Sequence, residues 1–529
     1  MMPIWRNPEF ARHLRAELRT TRALTVAAVV VVIAVLTWLG CWGSRASDMA
    51  VMHRYATNLH FTAERLAEMD RQTPIIVWFN FYIILMYAQL GILTFWSLFS
   101  CAQSISGERE RKTWDFQRAT RLSPGELLTG KLFGEPVLAY FIVVCCLPIA
   151  LLAGVLGGVR LGNIAEAYLL IISGAVFLGM AGLWLSSLFE SRSRGVGLIG
   201  TFGLYLIFGF IVEARKSNFP GVAALSPLAG FIPLFDKDPS FGPPRIFGSP
   251  VPWVVLSLLL YLMFGAWLAL TLLRTLTKDY DQMRSLSRWQ AVGCAAFLNF
   301  TLYALFVPQT LTTWDSFTKL MVGINGFILF AMGLAMLTSS EKLRVWWRTR
   351  NATRWALFAE DGPQWPWLVL SAAVGYGLLV WGLFAWKNEL GFESAAVKAG
   401  LVQFTVVSLF ITRDITFIQW CRLTRLRAPV LKGVLFAGLY YVAAVVLSIV
   451  CGIYSNTLGR YFSSLLTPVG AFEPAPPHLR FPVSVFVGMG IQLGLIVLLE
   501  MAIVARLRPS VGEAVPRLGL GDPHKSLAQ

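Results

Sequence analysis

The chain has 529 residues, of which 56% are hydrophobic and only 14% are charged, and its mean hydropathy is +0.62. A soluble domain carries roughly 25% charged residues, so the composition excludes an ordinary soluble globular protein. Several apolar runs exceed the roughly 18 residues that cross a bilayer core, and they lack the alternation of a membrane β-barrel. We therefore predict an all-α integral membrane protein in contact with the lipid bilayer.

The formal net charge of +16 is high enough to suggest nucleic acid as a partner. Most of the 45 Lys and Arg residues, however, fall between apolar runs on one side of the predicted topology. The five histidines lie outside the apolar runs, and the seven cysteines form no CxxC pair. We expect no nucleic acid, no metal site and no cofactor bound by this chain.

The N-terminal residues 3–22 carry Phe10, Leu14 and Leu18 at intervals of four among several arginines. This spacing predicts a basic amphipathic helix on a membrane surface. The apolar run 24–42 that follows is long enough to span, so the N-terminus is not a cleavable signal peptide.

The remaining apolar runs complete a set of twelve predicted spans. They cover 24–42, 75–101, 132–154, 164–189, 196–213, 251–274, 290–308, 317–338, 365–386, 397–417, 429–453 and 483–506. An even number places both termini on one side, and the distribution of Lys and Arg predicts that this side is the cytoplasm. We expect a multi-pass protein of the cytoplasmic (inner) membrane.

Three longer loops are predicted on the outer side, at 43–74, 214–250 and 454–482. Residues 46–70 are compatible with a helix. Residues 225–235 are apolar but too short to span, and Pro227 and Pro233 interrupt them, which favours a re-entrant or interfacial segment. The proline-rich residues 471–482 are interpreted as a surface cap.

The cytoplasmic stretch 104–133 is dense in charge and joins the second and third spans. After its charged first part, Ser123 is suited to cap a short helix with Pro124 in the first turn. A short helix attached to two spans can pass force from a cytoplasmic partner into the membrane.

This stretch resembles the linker of the type-2 ATP-binding-cassette exporter permeases. The residues that carry the resemblance are Glu108, Arg109, Glu110, Arg111, Thr113, Leu122, Ser123, Pro124 and Lys131. The amphipathic elbow helix of that family is matched by 3–22, including Asn7-Pro8, and its re-entrant element by 225–235. The resemblance covers about residues 1–275.

The resemblance implies an elbow helix (1–23) and a six-span permease core (24–275) with a coupling segment at 104–131. Beyond it, the apolar runs predict a second six-span bundle (276–506) and a cytoplasmic tail (507–529). The resemblance also implies that Glu108, Arg109, Glu110, Arg111 and Thr113 contact or brace against a separate ATPase subunit. Residues 122–128, including Leu122, Ser123, Pro124 and Glu126, would form the coupling helix. The alternative is an ordinary basic loop with solvated charges.

Residues Gly125 to Lys131 match the spacing of a phosphate-binding loop, but Leu132 stands where the magnesium-binding Ser or Thr belongs. No soluble nucleotide domain surrounds them. The chain is therefore predicted to be a transport subunit and not an enzyme, with ATP and Mg²⁺ on the ATPase partner.

The second half carries a weaker signal. Arg422, Arg425 and Leu426 align with Arg118, Arg121 and Leu122 at an offset of 304, so they form a possible second coupling segment. The loop 339–364 is an alternative, as an interfacial helix. If these matches mark an internal repeat, one chain supplies both halves of a pseudo-dimer. If they do not, 276–506 is accessory to a core that pairs with a second copy or another permease.

Two other classes of function stay open. An ion-coupled secondary transporter would need charged relays in mid-membrane, and a membrane enzyme acting on lipid-linked substrates would need a constellation of acidic, His or Ser residues. Polar residues inside predicted spans mark possible cavities or contacts; they are Glu135, Asn299, Asn325, Gln403, Gln492 and Glu500.

Overall fold

A computed structural model describes the larger part of the chain. The described residues are 6–55, 63–114, 122–188, 203, 205–207, 209–235, 242–277, 286–308, 314–349, 356–387, 394–424, 429–472 and 483–507. They divide into two compact units. Unit 1 comprises Met1–Leu286 with Ala304–Thr310, and unit 2 comprises Ser287–Tyr303 with Leu311–Gln529.

Unit 1 is built from helices of very different length. They are α1 (Pro8–Glu17), α2 (Thr20–Tyr55), α3 (Ala63–Glu110), α4 (Pro124–Gly134), α5 (Val137–Leu156), α6 (Leu161–Leu188), α7 (Pro227–Phe231) and α8 (Trp253–Thr277), with 3-10 turns at Ile211–Lys216, Pro220–Leu225 and Ile232–Leu234. A two-residue hairpin pairs β1 (Arg245–Ile246) with β2 (Ser249–Pro250) in antiparallel register. Phe247 and Gly248 between them have positive φ, as a tight hairpin turn requires.

Unit 2 is helical throughout its described residues. Its helices are α9 (Arg288–Leu305), α10 (Trp314–Ala335), α11 (Ser340–Thr349), α12 (Trp365–Ala385), α13 (Ser394–Arg422), α14 (Pro429–Tyr454), α15 (Asn456–Leu466) and α16 (Val483–Leu507), with 3-10 turns at Ala356–Phe358 and Pro468–Phe472. The last two residues of α9 belong to unit 1.

The described residues contain ten helices long and apolar enough to cross a membrane. The ten are Thr20–Met52, Ala67–Glu110, Val137–Leu156, Leu161–Ser187, Trp253–Leu276, Asp315–Ala335, Trp365–Ala385, Lys398–Arg422, Lys432–Tyr454 and Val483–Leu507. The chain is thus a multi-pass membrane protein, and its described residues are helical in their regular elements apart from the hairpin of β1 and β2. Its described part contains no nucleotide-binding domain.

The predicted total of twelve spans differs from these ten at two places. Half of the fifth predicted span, 196–213, lies outside the described residues, and its end forms part of a 3-10 turn. The seventh, 290–308, is a helix (α9) of 18 residues, but Arg288, Gln290 and Asn299 make it too polar to count among the ten. The guanidinium of Arg288 is fully buried and donates to the carbonyl oxygens of Ala359, Gly362 and Pro363.

Two predicted spans are much longer than expected. α2 has 36 residues and α3 has 48, or roughly 54 and 72 Å at 1.5 Å per residue. The polar run 46–70 accounts for the extension, since its described residues continue α2 to Tyr55 and begin α3 at Ala63. The prediction that this run is helical is confirmed there, and the span boundaries at 42 and 75 are wrong.

The N-terminal amphipathic helix is also confirmed over a shorter range than predicted. It is restricted to α1, because Asn7 caps its start and Leu18 leaves the helical conformation at its end. Helix α2 then begins at Thr20.

The core of unit 1 lies between α3 and α6. Gly182 on α6 approaches α3 so closely that an added Cβ would lie 2.5 Å from the carbonyl oxygen of Leu98. The segment 220–235 packs into the same core in short turns: Phe231 is fully buried and stacks edge-on against Tyr87 at a centroid distance of 5.1 Å. As predicted, this segment does not span.

Unit 2 departs from the sequence prediction in its outer loop. The described residues 455–472 of the predicted loop form helix α15 and a 3-10 turn, and α15 turns back along α14 directly after Tyr454. The proline-rich residues 473–482 of the predicted surface cap lie outside the described residues.

Candidate functional site

The C-terminal end of α3 closes in a defined turn. The N–H of Thr113 donates to the carbonyl oxygen of Glu108 (3.0 Å) and the N–H of Lys112 to that of Arg109 (3.2 Å). Lys112 has φ +57°. This is the Schellman pattern of a helix C-terminus, with a lysine where glycine is usual. The turn leaves the residues from Glu110 to Thr113 exposed to solvent.

Helix α4 begins with a complete capping box. The N–H of Glu126 donates to Ser123 Oγ (3.3 Å), and the N–H of Ser123 donates to the Glu126 carboxylate (2.9 Å). The hydrogen bond from the Ser123 backbone lowers the pKa of Glu126. The predicted roles of Ser123 and Pro124 at the helix start are confirmed, but the helix runs to Gly134 and not only to residue 128.

We call the residues Glu110–Thr113 and Ser123–Glu126 the capped-turn surface. Both parts flank one buried apolar cluster. In this cluster Trp114, which directly follows the first part, packs with Leu127 and Leu128 of α4. The residues between Trp114 and Leu122 lie outside the described part of the chain. The two turns are therefore fixed to a common core.

Glu108 does not share the environment of its exposed neighbours. Its carboxylate lies 2.6 Å from Lys131 Nζ on α4, and the Lys131 side chain is 1% exposed. Lys131 Nζ also donates to Ser104 Oγ (3.3 Å). A buried ammonium needs such partners, so Glu108 braces α3 against α4.

Helix α1 completes the same cluster. Lys131 Nζ lies 3.7 Å from Glu9, and Arg12 lies 2.6 Å from Glu9 and 3.6 Å from Glu108. Burial alone would raise the pKa of Glu9, but hydrogen bonds from His13 and Arg12 and the charge of Lys131 lower that pKa to about 2. One ionic cluster thus joins the N-terminal helix, the end of α3 and α4.

Close backbone approach permits this junction. A Cβ on Gly130 would lie 2.7 Å from Glu9 Cβ, and one on Gly134 would lie 2.9 Å from His13 Cδ2. The Asn7 side chain accepts from the N–H of Glu9 and donates to the carbonyl oxygen of Glu126 (2.6 Å). Gly130 and Gly134 lie one helical turn apart and are the signal in the sequence that could have indicated this contact. The sequence analysis did not predict it.

Arg109 faces a different element from Glu108. Its Nη1 donates to the carbonyl oxygen of Ser187 at the end of α6 (3.1 Å), and its guanidinium lies over the ring of Trp114 at 5.9 Å. The four charged residues Glu108 to Arg111 thus fall into two inward-facing braces followed by two exposed positions.

The possible second coupling segment is described only in part. Arg422 ends α13, and its Nη1 donates to the carbonyl oxygen of Leu337 (3.1 Å); Arg425 and Leu426 lie outside the described residues. The alternative region 339–364 contains the amphipathic helix α11, whose buried Leu343 packs against Ile503 and Leu507 of α16.

Sequence reasoning also missed a buried ionic pair in unit 2. Arg413 and Asp414 fall inside the predicted span 397–417, and both lie within α13 with side chains 8% and 9% exposed. Arg413 also donates to Gln492 Oε1 (2.7 Å), and Tyr441 donates to Asp414 Oδ2 (2.6 Å). The signal in the sequence was the presence of two adjacent charges inside a predicted span, with Arg413 four residues before its end at 417.

No group of His, Cys, Asp or Glu in the described residues could hold a metal ion. The arrangement presents a capped surface attached to the long apolar helices α3 and α5. These helices define the class of the chain as a helical multi-pass membrane protein.

Comparison with known families agrees with that class. Residues 52–236 match the family model described as ABC-2 family transporter protein. This part of the chain, which contains α3 to α7 and the capped-turn surface, is an ABC-2 family transporter membrane domain. Comparisons with curated proteins and with solved structures gave no match.

Proposed function

We propose that the chain is the permease subunit of an ATP-binding-cassette exporter. A separate ATPase subunit, which holds ATP and Mg²⁺, docks on the capped-turn surface, and its movement switches the spans. The family match supports this proposal, since ATP binding in ABC-2 permeases normally belongs to a separate subunit.

The junction at Lys131 is the observation that carries the proposal. It holds α1, the end of α3 and α4 in one block, and α4 leads through Pro136 directly into α5. A force applied to the exposed turn therefore reaches two spanning helices without passing through a flexible loop. A merely solvated basic loop would have no need for such buried ion pairs.

The finer topology belongs to the same proposal. We infer twelve spans, with both termini in the cytoplasm and the protein in the inner membrane. The contact of α1 with α4 supports one part of this topology, since it puts the N-terminal helix and the capped-turn surface on one side of the membrane. Unit 2 then provides a second six-span bundle, with Arg422 near a second contact, or accompanies a core that pairs with another copy.

The test is purification of the tagged full chain from its native membrane in mild detergent, followed by identification of co-purifying subunits and an assay of ATP hydrolysis. The variant Glu110→Ala/Arg111→Ala changes only exposed residues of the capped-turn surface. Arg160→Ala, which changes an exposed arginine between α5 and α6, is the control. We expect an ATPase subunit with the wild type, and its loss or uncoupling only in the double variant.

A chain that purifies without an ATPase, and whose transport is indifferent to the double variant, would contradict the proposal. The Arg413–Asp414 pair would then favour an ion-coupled transporter, because charged groups inside spans often serve ion pathways. In the exporter that we propose, Arg413 and Asp414 neutralise each other. ATP-driven transport should then need no ion gradient.

A further inference from the structure

Helix α15 returns along α14 as a re-entrant half-helix. Gly459 faces Gly452 so closely that an added Cβ would lie 2.7 Å from the Gly452 Cα. Tyr440 OH donates to the carbonyl oxygen of Leu466 (2.8 Å). Tyr440 lies fourteen residues before the end of α14 at Tyr454, so α15, whose eleven residues give a length of roughly 16 Å at 1.5 Å per residue, runs back along that helix over its full length.

Contacts with α16 confirm the depth of α15. A Cβ on Gly488 would lie 2.7 Å from the carbonyl oxygen of Ser464, and Gln492 Nε2 donates to that of Leu465 (3.1 Å). Gly488 and Gln492 both lie inside the candidate span Val483–Leu507. An eleven-residue helix at this depth is too short to cross the membrane.

The inner end of α15 is held by the buried ionic pair. The last carbonyl groups of a helix lack intrahelical partners, and in lipid each must find one within the protein. Gln492 and Tyr440 supply hydrogen bonds to this helix end, and both side chains also bond to Arg413 Nη1, at 2.7 and 3.2 Å. The end of α15 is thus anchored at spanning depth.

Between α14 and α15 runs an open groove of about 430 Å³. The α15 wall is polar: it consists of Asn456, Arg460, Ser463 and Thr467, whose spacing of four, three and four places them on one helical face. Arg460 brings a cation to the half of the groove nearer the membrane surface, where the helix begins.

The opposite wall of the groove is mostly apolar, since the hydroxyl of its one polar residue, Ser448, donates to the carbonyl oxygen of Ala444 within α14. Val445 and Ile449 of α14 line it and are 44% and 60% exposed, and Val469 at the far end is 57% exposed. This wall continues into the exposed apolar face of α14, of whose apolar window only 6% is buried. The groove is therefore amphipathic, with a cationic and hydroxyl-rich side and an apolar side that merges with a lipid-facing helix.

We propose that this groove binds one anionic phospholipid. Arg460 holds the phosphate, since a guanidinium matches phosphate oxygens in charge and geometry. Asn456 and Ser463 face the polar head and ester region, and one acyl chain follows Val445 and Ile449 onto the surface of α14. The site lies wholly in unit 2 and does not depend on the proposed ATPase coupling.

The test uses the full chain in detergent micelles, with phosphatidylglycerol or phosphatidylcholine added and bound lipid counted by native mass spectrometry. Glycerol 3-phosphate serves as the chain-free anion. The variants are Arg460→Gln, which removes the cation, and Ile449→Trp, which fills the apolar wall. Arg344→Gln is the matched control for loss of one exposed arginine. Unfolding temperatures in lipid-free detergent check that each variant is folded.

We expect one tightly bound phosphatidylglycerol, at least tenfold weaker binding in both groove variants, and wild-type binding in Arg344→Gln. Glycerol 3-phosphate should bind much more weakly than the lipid, because it lacks the acyl chain. Equal retention of both lipids, or phosphatidylglycerol binding that survives both groove variants, would overturn the proposal. If Arg460→Gln does not fold, Ile449→Trp alone decides, because it leaves the polar wall intact.

Discussion

Lys131 shows how a single side chain organises the candidate coupling site. Its ammonium is removed from water and lies between Glu108 and Glu9. Removal of a buried charge from its partners is costly because the remaining charges lose their compensation in a medium of low dielectric constant. The cluster is therefore more sensitive to the loss of one member than to the loss of a matched pair.

We predict that Lys131→Met lowers the free energy of unfolding by about 3–5 kcal/mol, because two carboxylates remain near one another without the cation. The measurement is denaturant unfolding of the purified chain in mixed micelles. The double variant Glu108→Gln/Lys131→Met should recover part of the loss. An unchanged unfolding free energy in Lys131→Met would show that the ion pair is not structural.

Glu9 gives the cluster a dependence on pH. Because the pKa of Glu9 in the folded protein is lowered to about 2 from its ordinary 4.5, the folded state favours the ionised carboxyl. The stabilisation is complete above pH 4.5 and is lost as the pH falls towards 2. The comparison of unfolding temperature between wild type and Glu9→Gln across this range isolates the effect.

In that comparison we expect the difference in unfolding temperature between wild type and Glu9→Gln to be constant above about pH 5 and to disappear at lower pH. His13, Arg12 and Lys131, which also face Glu9, are present in both proteins. A gap that widens on acidification would mean that Glu9 is protonated in the folded protein.

At the scale of elements, the contact of α3 with α6 depends on glycine. An added Cβ at Gly182 would meet a backbone carbonyl oxygen at 2.5 Å, which cannot move aside as a flexible side chain can. Gly91 on α3 has nothing within 4 Å of the same position. The two glycines are therefore a matched pair for testing this interface.

We predict opposite effects of alanine at these two glycines. Gly91→Ala should be neutral or stabilise by up to about 1 kcal/mol, since alanine favours helix, whereas Gly182→Ala should destabilise by about 1–3 kcal/mol through overpacking. Thermal unfolding in detergent measures both. Stabilisation of similar size in the two variants would contradict the close packing of α3 on α6.

The helical elements could be predicted largely from hydropathy and capping residues. Long apolar runs predict spans because lipid leaves no other backbone arrangement, and Ser123-Pro124 carries its own start signal. The lengths of α2 and α3 could not be predicted in this way, because their polar extensions beyond the apolar runs have no hydropathy signal. Helix α15 was missed because a short amphipathic segment beside prolines is typical of a surface loop.

The site itself was predictable only as a position in the chain. The pattern from Glu108 to Lys131 located the segment, but it could not show that Glu108 faces inward while Glu110 faces solvent. That distinction depends on the tertiary contact of α4 with α1, through Gly130 and Gly134. Long-range ion pairs such as that of Lys131 with Glu9 leave no periodic trace in a single sequence.

At the scale of the whole molecule, our proposal is that this chain is a force-transmitting membrane subunit. Unit 1 contains the ABC-2 family transporter membrane domain over residues 52–236, and its capped-turn surface is fixed by buried ion pairs to the helices that cross the membrane. Unit 2 contributes five candidate spans and a re-entrant helix anchored on a buried Arg–Asp pair. Transport by such a molecule requires that an ATPase subunit touch the capped-turn surface.

Site-specific photo-crosslinking in native membranes tests that contact most directly. A photoreactive residue is placed at Lys112 or Glu126 on the capped-turn surface, and at the exposed Thr457 of α15 as the control. If the ATPase subunit docks as we propose, positions 112 and 126 should crosslink to one ATPase subunit, and the yield of these crosslinks should change when ATP is added. Position 457 should give no crosslink to the ATPase subunit. No ATPase crosslink from either position of the surface, or an equal yield from Thr457, would contradict the proposal.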